Sequence, residues 1–218
     1  MDGEARDPGF EFVDDSALPE LLPVFPLPNV VLFPNMALPL HIFEERYRRM
    51  VGDCLAGRRL LGMLLYRAGW ESAEDPVPYE VGGLGQIARA IKLPMGNYDI
   101  VLRGLGRVRV IEYVQVRPYR IARVEYLEER AVEAEVAEVL GRELADRLKR
   151  IAALRPAVTP LLPSLALLAG PRDLCNFVAG HYDGLGVHER QEILEAVTVE
   201  EQLRRLLRYC NRDLAGLN

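Results

Sequence analysis

Leu22-Pro23-Val24-Phe25-Pro26-Leu27-Pro28-Asn29-Val30-Val31-Leu32-Phe33-Pro34, followed by Leu38-Pro39-Leu40-His41-Ile42-Phe43-Glu44-Glu45-Arg46-Tyr47-Arg48-Arg49-Met50, is the stretch that decides the fold. Its first part is apolar but broken by proline, which cannot donate to a sheet ladder. Residues 22–27 therefore read as an edge strand or extended entry segment. Val30 to Phe33 reads as a short strand ended by Pro34, and Met36 to Ile42 as a further apolar stretch carrying Pro39. The period then changes. Phe43, Tyr47, Met50/Val51 and Cys54/Leu55 fall at steps of three and four, which predicts one face of a helix stopped at Gly57.

Downstream, Leu60 to Tyr66 is a continuous apolar run of strand length, and a polar loop, Ala68 to Pro78, follows it. Strand character resumes at Val81. Pro94-Met95-Gly96-Asn97 is a turn signal, and Gly104-Leu105-Gly106 is read as another. Arg107-Val108-Arg109-Val110 alternates, which predicts arginines in water and valines in the core. Tyr119 to about Leu127 continues in this style. Gly82-Gly83-Leu84-Gly85 is not followed by a helix, so a bulge or close backbone packing is expected rather than a phosphate loop. Several short strands with one early helix predict a small closed or partly closed barrel.

After Leu127 the pattern is helical. Val132, Val136, Val139/Leu140, Leu144, Leu148 and Ile151 form one stripe, broken by Pro156 and Pro160. A short apolar helix is expected at about Leu161–Ala169, then one starting at Pro171 with Leu174, Phe177 and Val178 inward. A further helix carries Ile193, Leu194 and Val197. The last begins at Thr198, where Thr198 and Glu201 have capping-box spacing, and buries Leu203, Leu206, Leu207 and Cys210. The reading is α+β: a barrel region over residues 21–127 and a helical bundle over 128–218, preceded by a disordered acidic arm over 1–20. Phe10, Phe12 and Val13 in that arm are candidates to dock on the body.

The net charge of −5 is unevenly spread. Residues 1–20 carry −6, whereas residues 85–124 carry +6. No apolar run approaches the roughly 20 residues that cross a bilayer, and the first residues lack a secretory h-region. With 3 well-separated cysteines, a disulfide framework is not expected and a reducing cytoplasm is the natural compartment.

Catalytic patterns are missing. The only lysines, Lys92 and Lys149, follow Ile91 and Leu148, so there is no Walker A loop. Ser16, Ser72 and Ser164 lie in no nucleophile elbow. His181 and His188 are poorly spaced for a metal pair, and His41 reads as orienting local backbone. Cys54, Cys175 and Cys210 read as buried, inert thiols. No metal, cofactor or catalytic residue is assigned, and no acid/base pair stands out.

The opening stretch resembles the start of the N-terminal substrate-binding domain of Lon proteases. The match joins a proline-broken strand pair to His41-Ile42-Phe43-Glu44 and then Arg46-Tyr47 at fixed spacing. Leu93-Pro94-Met95-Gly96-Asn97-Tyr98-Asp99-Ile100 resembles a hairpin of that family. Gly104 to Val110 resembles one of its strands, and Glu192 to Leu203 its closing segment, so that the likeness spans about residues 21–212. Asn35 stands where glycine is common, Glu45 where proline is common, and Met95-Gly96-Asn97 where Asp-Gly-Arg is usual. The resemblance implies a PUA-like β-pseudobarrel with an inserted helix, followed by a C-terminal helical bundle. It also implies a free-standing, non-catalytic module that binds unfolded or extended polypeptide, with the ATPase and Ser–Lys protease domains absent and a protease as a possible partner, the chain acting as adaptor or regulator.

Candidate contacts for such a ligand are Phe33, Met36, Tyr47, Trp70, Met95 and Tyr98, the competing reading of Phe33 and Tyr47 being core. The ligand would add to an unpaired strand edge or fill an apolar groove between barrel and bundle. The alternative function is RNA binding by the basic strands over 85–124, weighed against arginines that are simply solvated or paired with acids. A small enzyme of unrecognised type is the third reading.

Overall fold

The structure, a computed structural model, describes residues 18–73, 76–128 and 134–217. The acidic arm's candidates Phe10, Phe12 and Val13, and the stripe residue Val132, lie outside the described residues.

Six strands build the first part: β1 (Leu21–Leu27), β2 (Ala37–Ile42), β3 (Leu60–Leu65), β4 (Val81–Lys92), β5 (Tyr98–Gln115) and β6 (Arg120–Tyr126). They are ordered β2-β5-β4-β3-β1-β6, and a further β5–β6 pairing closes β1, β3, β4, β5 and β6 into a ring. β2 lies outside it, antiparallel to the start of β5. Helix α1 (Glu45–Ala56) is inserted between β2 and β3. Its Tyr47, Met50, Val51 and Cys54 fill one side of the ring with Leu32, Leu61, Met63, Ile87 and Leu102. Every residue of β3 is buried, because Leu61 and Met63 face that core while Leu60 and Leu64 face a second one with Val24, Val108 and Val124.

β1 is a ring strand and not an edge, and its prolines show why this is tolerated. β1 meets β6 only through Leu21–Val24 and β3 only through Val24–Leu27. Pro23 precedes the first β3 pair, and Pro26 lies beyond the last β6 pair. Each proline therefore sits where one flank has no ladder to feed.

Val30–Phe33 is not a strand. It is a plug with no ladder, partly buried at Val30 and buried from Val31 on, in which Val31 and Phe33 join the helical core and Leu32 joins the ring core. The glycines of β4 and β5 make room for it. A Cβ at Gly83 would sit 2.2 Å from the Leu32 carbonyl oxygen, and one at Gly104 would sit 2.0 Å from that of Phe33. Gly104-Leu105-Gly106 is accordingly not a turn; β5 runs straight through it. Leu84 pairs with Gly106 and Gly85 with Gly104, leaving Leu105 as a bulge. Asn35, at a position where glycine is common in the family that the sequence resembles, has φ 62°, a conformation asparagine tolerates better than most residues.

The second part comprises α2 (Ala134–Leu154), the short α3 (Leu162–Leu165), α4 (Pro171–His181), α5 (Val187–Glu195) and α6 (Val199–Leu217). α2 buries Leu140, Leu144, Leu148 and Ile151 against Leu203, Leu206, Leu207 and Cys210 of α6. α3 is shorter than expected: it follows the 3-10 turn Pro156–Leu161 and ends at Leu165, with residues 166–169 no longer helical. At α6, Glu201 N–H donates to Thr198 Oγ1 (3.1 Å), while the Glu201 carboxylate accepts from Val197 N–H (2.8 Å), one residue earlier than a strict capping box. Phe43, Val139 and Val197, expected inward, are exposed.

Arg107 corrects the alternation argument. It is 6% exposed, because α5 covers its face of β5. Its guanidinium donates to the carbonyls of Leu194 (2.9 Å) and Ala196 (2.5 Å), which joins ring to helices. Gln191 Nε2 adds a bond to Val81 O (2.9 Å).

Candidate functional site

The staggered ladders of β1 leave a seam in the ring. Past Val24, β6 no longer accompanies β1, and the chain turns back through the β5–β6 hairpin. A cleft of about 670 Å³ occupies this seam. Pro26, Leu27 and Pro28 form one wall, and Val116 to Arg120 form the other. Tyr47 from α1, Tyr66 after β3, Trp70 and Pro76 line the remainder, with Glu44 and Arg46 at the helix start.

Packing and hydrogen bonds hold these walls. Tyr66 N–H donates to Leu27 O (3.0 Å), directing Leu27 towards β3 and Pro26 towards the seam. Gln115 Nε2 donates to Tyr119 O (2.9 Å) across the hairpin, and Tyr119 O–H donates to Asp53 of α1 (2.6 Å). Trp70 stacks on Tyr66 with ring centroids 5.5 Å apart, and Arg46 lies over the Tyr47 ring at 4.5 Å. Burial, chiefly, and then the adjacent Tyr66 push the Tyr47 hydroxyl well above its usual range. Burial, followed by the bond to Asp53, pushes Tyr119 up to about 12. Both phenols are therefore neutral at ordinary pH, so the cleft offers aromatic edges and hydroxyls with guanidinium groups at its rim.

The six candidate residues separate into three places. Phe33 is buried beneath the helices, and Met36 sits between the two cores with its Sδ against Gly180 of α4. The expected groove between barrel and bundle is thus filled by the chain's own plug. Tyr47 and Trp70 come together in the seam cleft, Tyr47 as a nearly buried wall and Trp70 half-buried. Met95 and Tyr98 lie far along the β4–β5 hairpin. Met95, at φ 63°, is 89% exposed and its carbonyl accepts from Arg48. Sequence reasoning missed Tyr66, Tyr119 and the prolines of the seam, because their meeting depends on ladder register.

β2 has the free outer edge that strand addition would use. Gly104 N–H donates to Met36 O (2.9 Å), which sets the ladder phase and turns the backbone of Ala37, Pro39 and His41 outward. Pro39 has no N–H to offer there, so this edge is blunted.

The basic strands are largely engaged. Besides the buried Arg107, Arg109 pairs with Glu125 (3.0 Å), and Arg123 pairs with Glu112 (2.8 Å) and with Glu20. His41 Nδ1 meets Asp99 Oδ1 at 2.6 Å, a side-chain partner rather than the expected backbone one. His181 Nδ1 donates to Phe177 O (2.9 Å). Among the described residues no three His, Cys, Asp or Glu side chains cluster as a metal site, and no helix is long and apolar enough to cross a membrane.

Residues 21–212 match the family model described as the ATP-dependent protease La (LON) substrate-binding domain. The Lon protease of Dictyoglomus thermophilum is 34% identical over 201 residues, covering 90% of this chain and 25% of that protein. Lon protease 2 of Myxococcus xanthus is 32% identical over 208 residues, covering 92% and 24%. The chain thus spans about a quarter of the length of these relatives. Among solved structures, the N-terminal domain of a Mycobacterium avium complex Lon protease superposes with TM-score 0.69 at 20% identity, over 88% of this chain and 98% of that one. A Lon N-terminal domain protein from Xanthomonas campestris gives TM-score 0.63 at 23% identity, over 86% and 97%. At these identities the two structures speak to the fold alone.

Proposed function

The chain belongs to the Lon substrate-binding domain family, and from that premise we propose that it captures extended segments of other proteins in the seam cleft. The observation that carries this reading is the cleft's lining: Tyr47, Tyr66, Trp70 and Tyr119 with four prolines, on walls fixed by hydrogen bonds at both ends. Aromatic-lined grooves hold extended backbone and apolar side chains with little reorganisation. The matched region is the substrate-binding one, which supports binding as the task of these residues, and presenting captured segments to a protease, as an adaptor, is the role that fits.

The arginines of strands 85–124 favour polypeptide over RNA as the partner. Arg107 is buried, and Arg109 and Arg123 are held by carboxylates, which reduces what those strands offer to phosphates.

The test is a fluorescence-anisotropy titration with labelled unfolded polypeptide. Saturable binding that survives added salt is expected, weakened about five-fold or more by Trp70→Ala, the loss of one aromatic contact, and unchanged by Met95→Ala. Equal binding by wild type and Trp70→Ala removes the cleft from the account.

A further inference from the structure

The charged groups at the cleft bear on which segments it accepts. Among its described lining residues three are cationic, Arg46, Arg117 and Arg120, against one carboxylate, Glu44. Glu44 is already held by Arg46 at 2.9 Å. Arg120 is turned inward, donating to Pro76 O (3.1 Å) and lying over the Tyr113 ring at 5.6 Å. Arg117 differs from both. It is exposed, it has no ion-pair partner among the described residues, and it projects from the hairpin tip that Gln115 and Tyr119 brace. The lining thus places an aromatic floor directly beside an uncommitted guanidinium on a fixed support.

We propose that the cleft selects extended segments in which an apolar or aromatic residue is flanked by carboxylates, with Arg117 as the specificity-determining residue. This rests on the polypeptide-capture reading and names the ligand class for the same site. The apolar side chain occupies the floor between Tyr47, Trp70 and Tyr119. A neighbouring aspartate or glutamate then reaches Arg117, whose planar fork can donate to both carboxylate oxygens. Segments flanked by lysine meet like charge at the same place and are rejected.

Three fluorescein-labelled peptides test this with the full chain: phenylalanines spaced by serine, by aspartate or by lysine. The aspartate peptide is expected to bind about five- to ten-fold more tightly than the serine peptide at about 0.05 M salt, and the lysine peptide more weakly. The difference should shrink to about two-fold near 1 M salt as the charges are screened. Arg117→Glu should remove the aspartate peptide's advantage over the serine peptide, since that advantage comes from the rim charge. Equal affinities for aspartate and serine peptides in the wild type, or an aspartate advantage that survives Arg117→Glu, overturn the proposal. Failure of all three peptides to bind, or binding indifferent to Trp70→Ala, instead overturns the capture reading beneath it.

Discussion

The guanidinium of Arg107, on β5, donates to the carbonyl oxygen of Leu194, at the end of α5, at 2.9 Å. With the second bond to Ala196, this one side chain satisfies the helix end that packs on the ring.

Replacing Arg107 by Met keeps much of the packing but leaves the Leu194 and Ala196 carbonyls buried without donors. A loss of about 2–4 kcal/mol is expected, from two unsatisfied acceptors. Urea denaturation of Arg107→Met against wild type measures it, and a change below about 0.5 kcal/mol would mean that water replaces the guanidinium.

The glycines of β5 give a paired comparison. Gly104→Ala drives a methyl to 2.0 Å from the Phe33 carbonyl oxygen, where only backbone can yield, and should cost more than about 3 kcal/mol. Gly106→Ala meets nothing within 4 Å and should be within about 1 kcal/mol of wild type or slightly stabilising. Thermal melts of the two variants separate close backbone approach from a turn requirement.

Alkaline stability should be governed by the buried phenols. Burial first, and its bond to Asp53 next, pushes Tyr119 up to about 12; burial likewise pushes Tyr126 up to about 12 and Tyr47 and Tyr182 higher still. Unfolded tyrosine ionises near about 10. The contribution is therefore complete below about pH 10 and is lost as pH rises towards the folded values. Tyrosinate absorbance should rise for these residues together with loss of the circular dichroism of the fold. Titration of every tyrosine near pH 10 with the fold intact would contradict this.

All three cysteines are buried, and burial pushes the Cys54 and Cys210 thiols up to about 12. A thiol reagent at about pH 8 should modify none of them until denaturant is added, because the thiolate is scarce and shielded. Rapid labelling of any of them in the native protein would show that its helix opens.

Much of the fold was legible because it depends on local pattern. The steps of Tyr47, Met50/Val51 and Cys54 marked α1, and Gly82-Gly83-Leu84-Gly85 marked close backbone approach. What escaped depends on partners distant in sequence. Alternation put Arg107 on the face opposite Val108 but carries no record of α5 covering that face. Val31-Leu32-Phe33 alternates between two cores like a strand while pairing with nothing. Gly104 and Gly106 resemble a turn because glycine serves turns and close contacts alike. Of the site, Trp70 was within reach as an aromatic residue in a polar loop, and Tyr47 as an aromatic position on the helix stripe whose competing reading was core. Their neighbours Tyr66 and Tyr119 were not, because the seam is made by the register at which β6 leaves β1.

Trp70 is the chain's one tryptophan, and it sits in the cleft, so its fluorescence reports on that place alone. The most direct measurement is a titration of the protein with an unfolded polypeptide that lacks tryptophan, following the Trp70 emission beside the anisotropy of the same polypeptide carrying a label. A saturable blue shift with the same Kd in both signals is the predicted result. Binding seen by anisotropy with the Trp70 emission unmoved would place the polypeptide elsewhere and contradict the account.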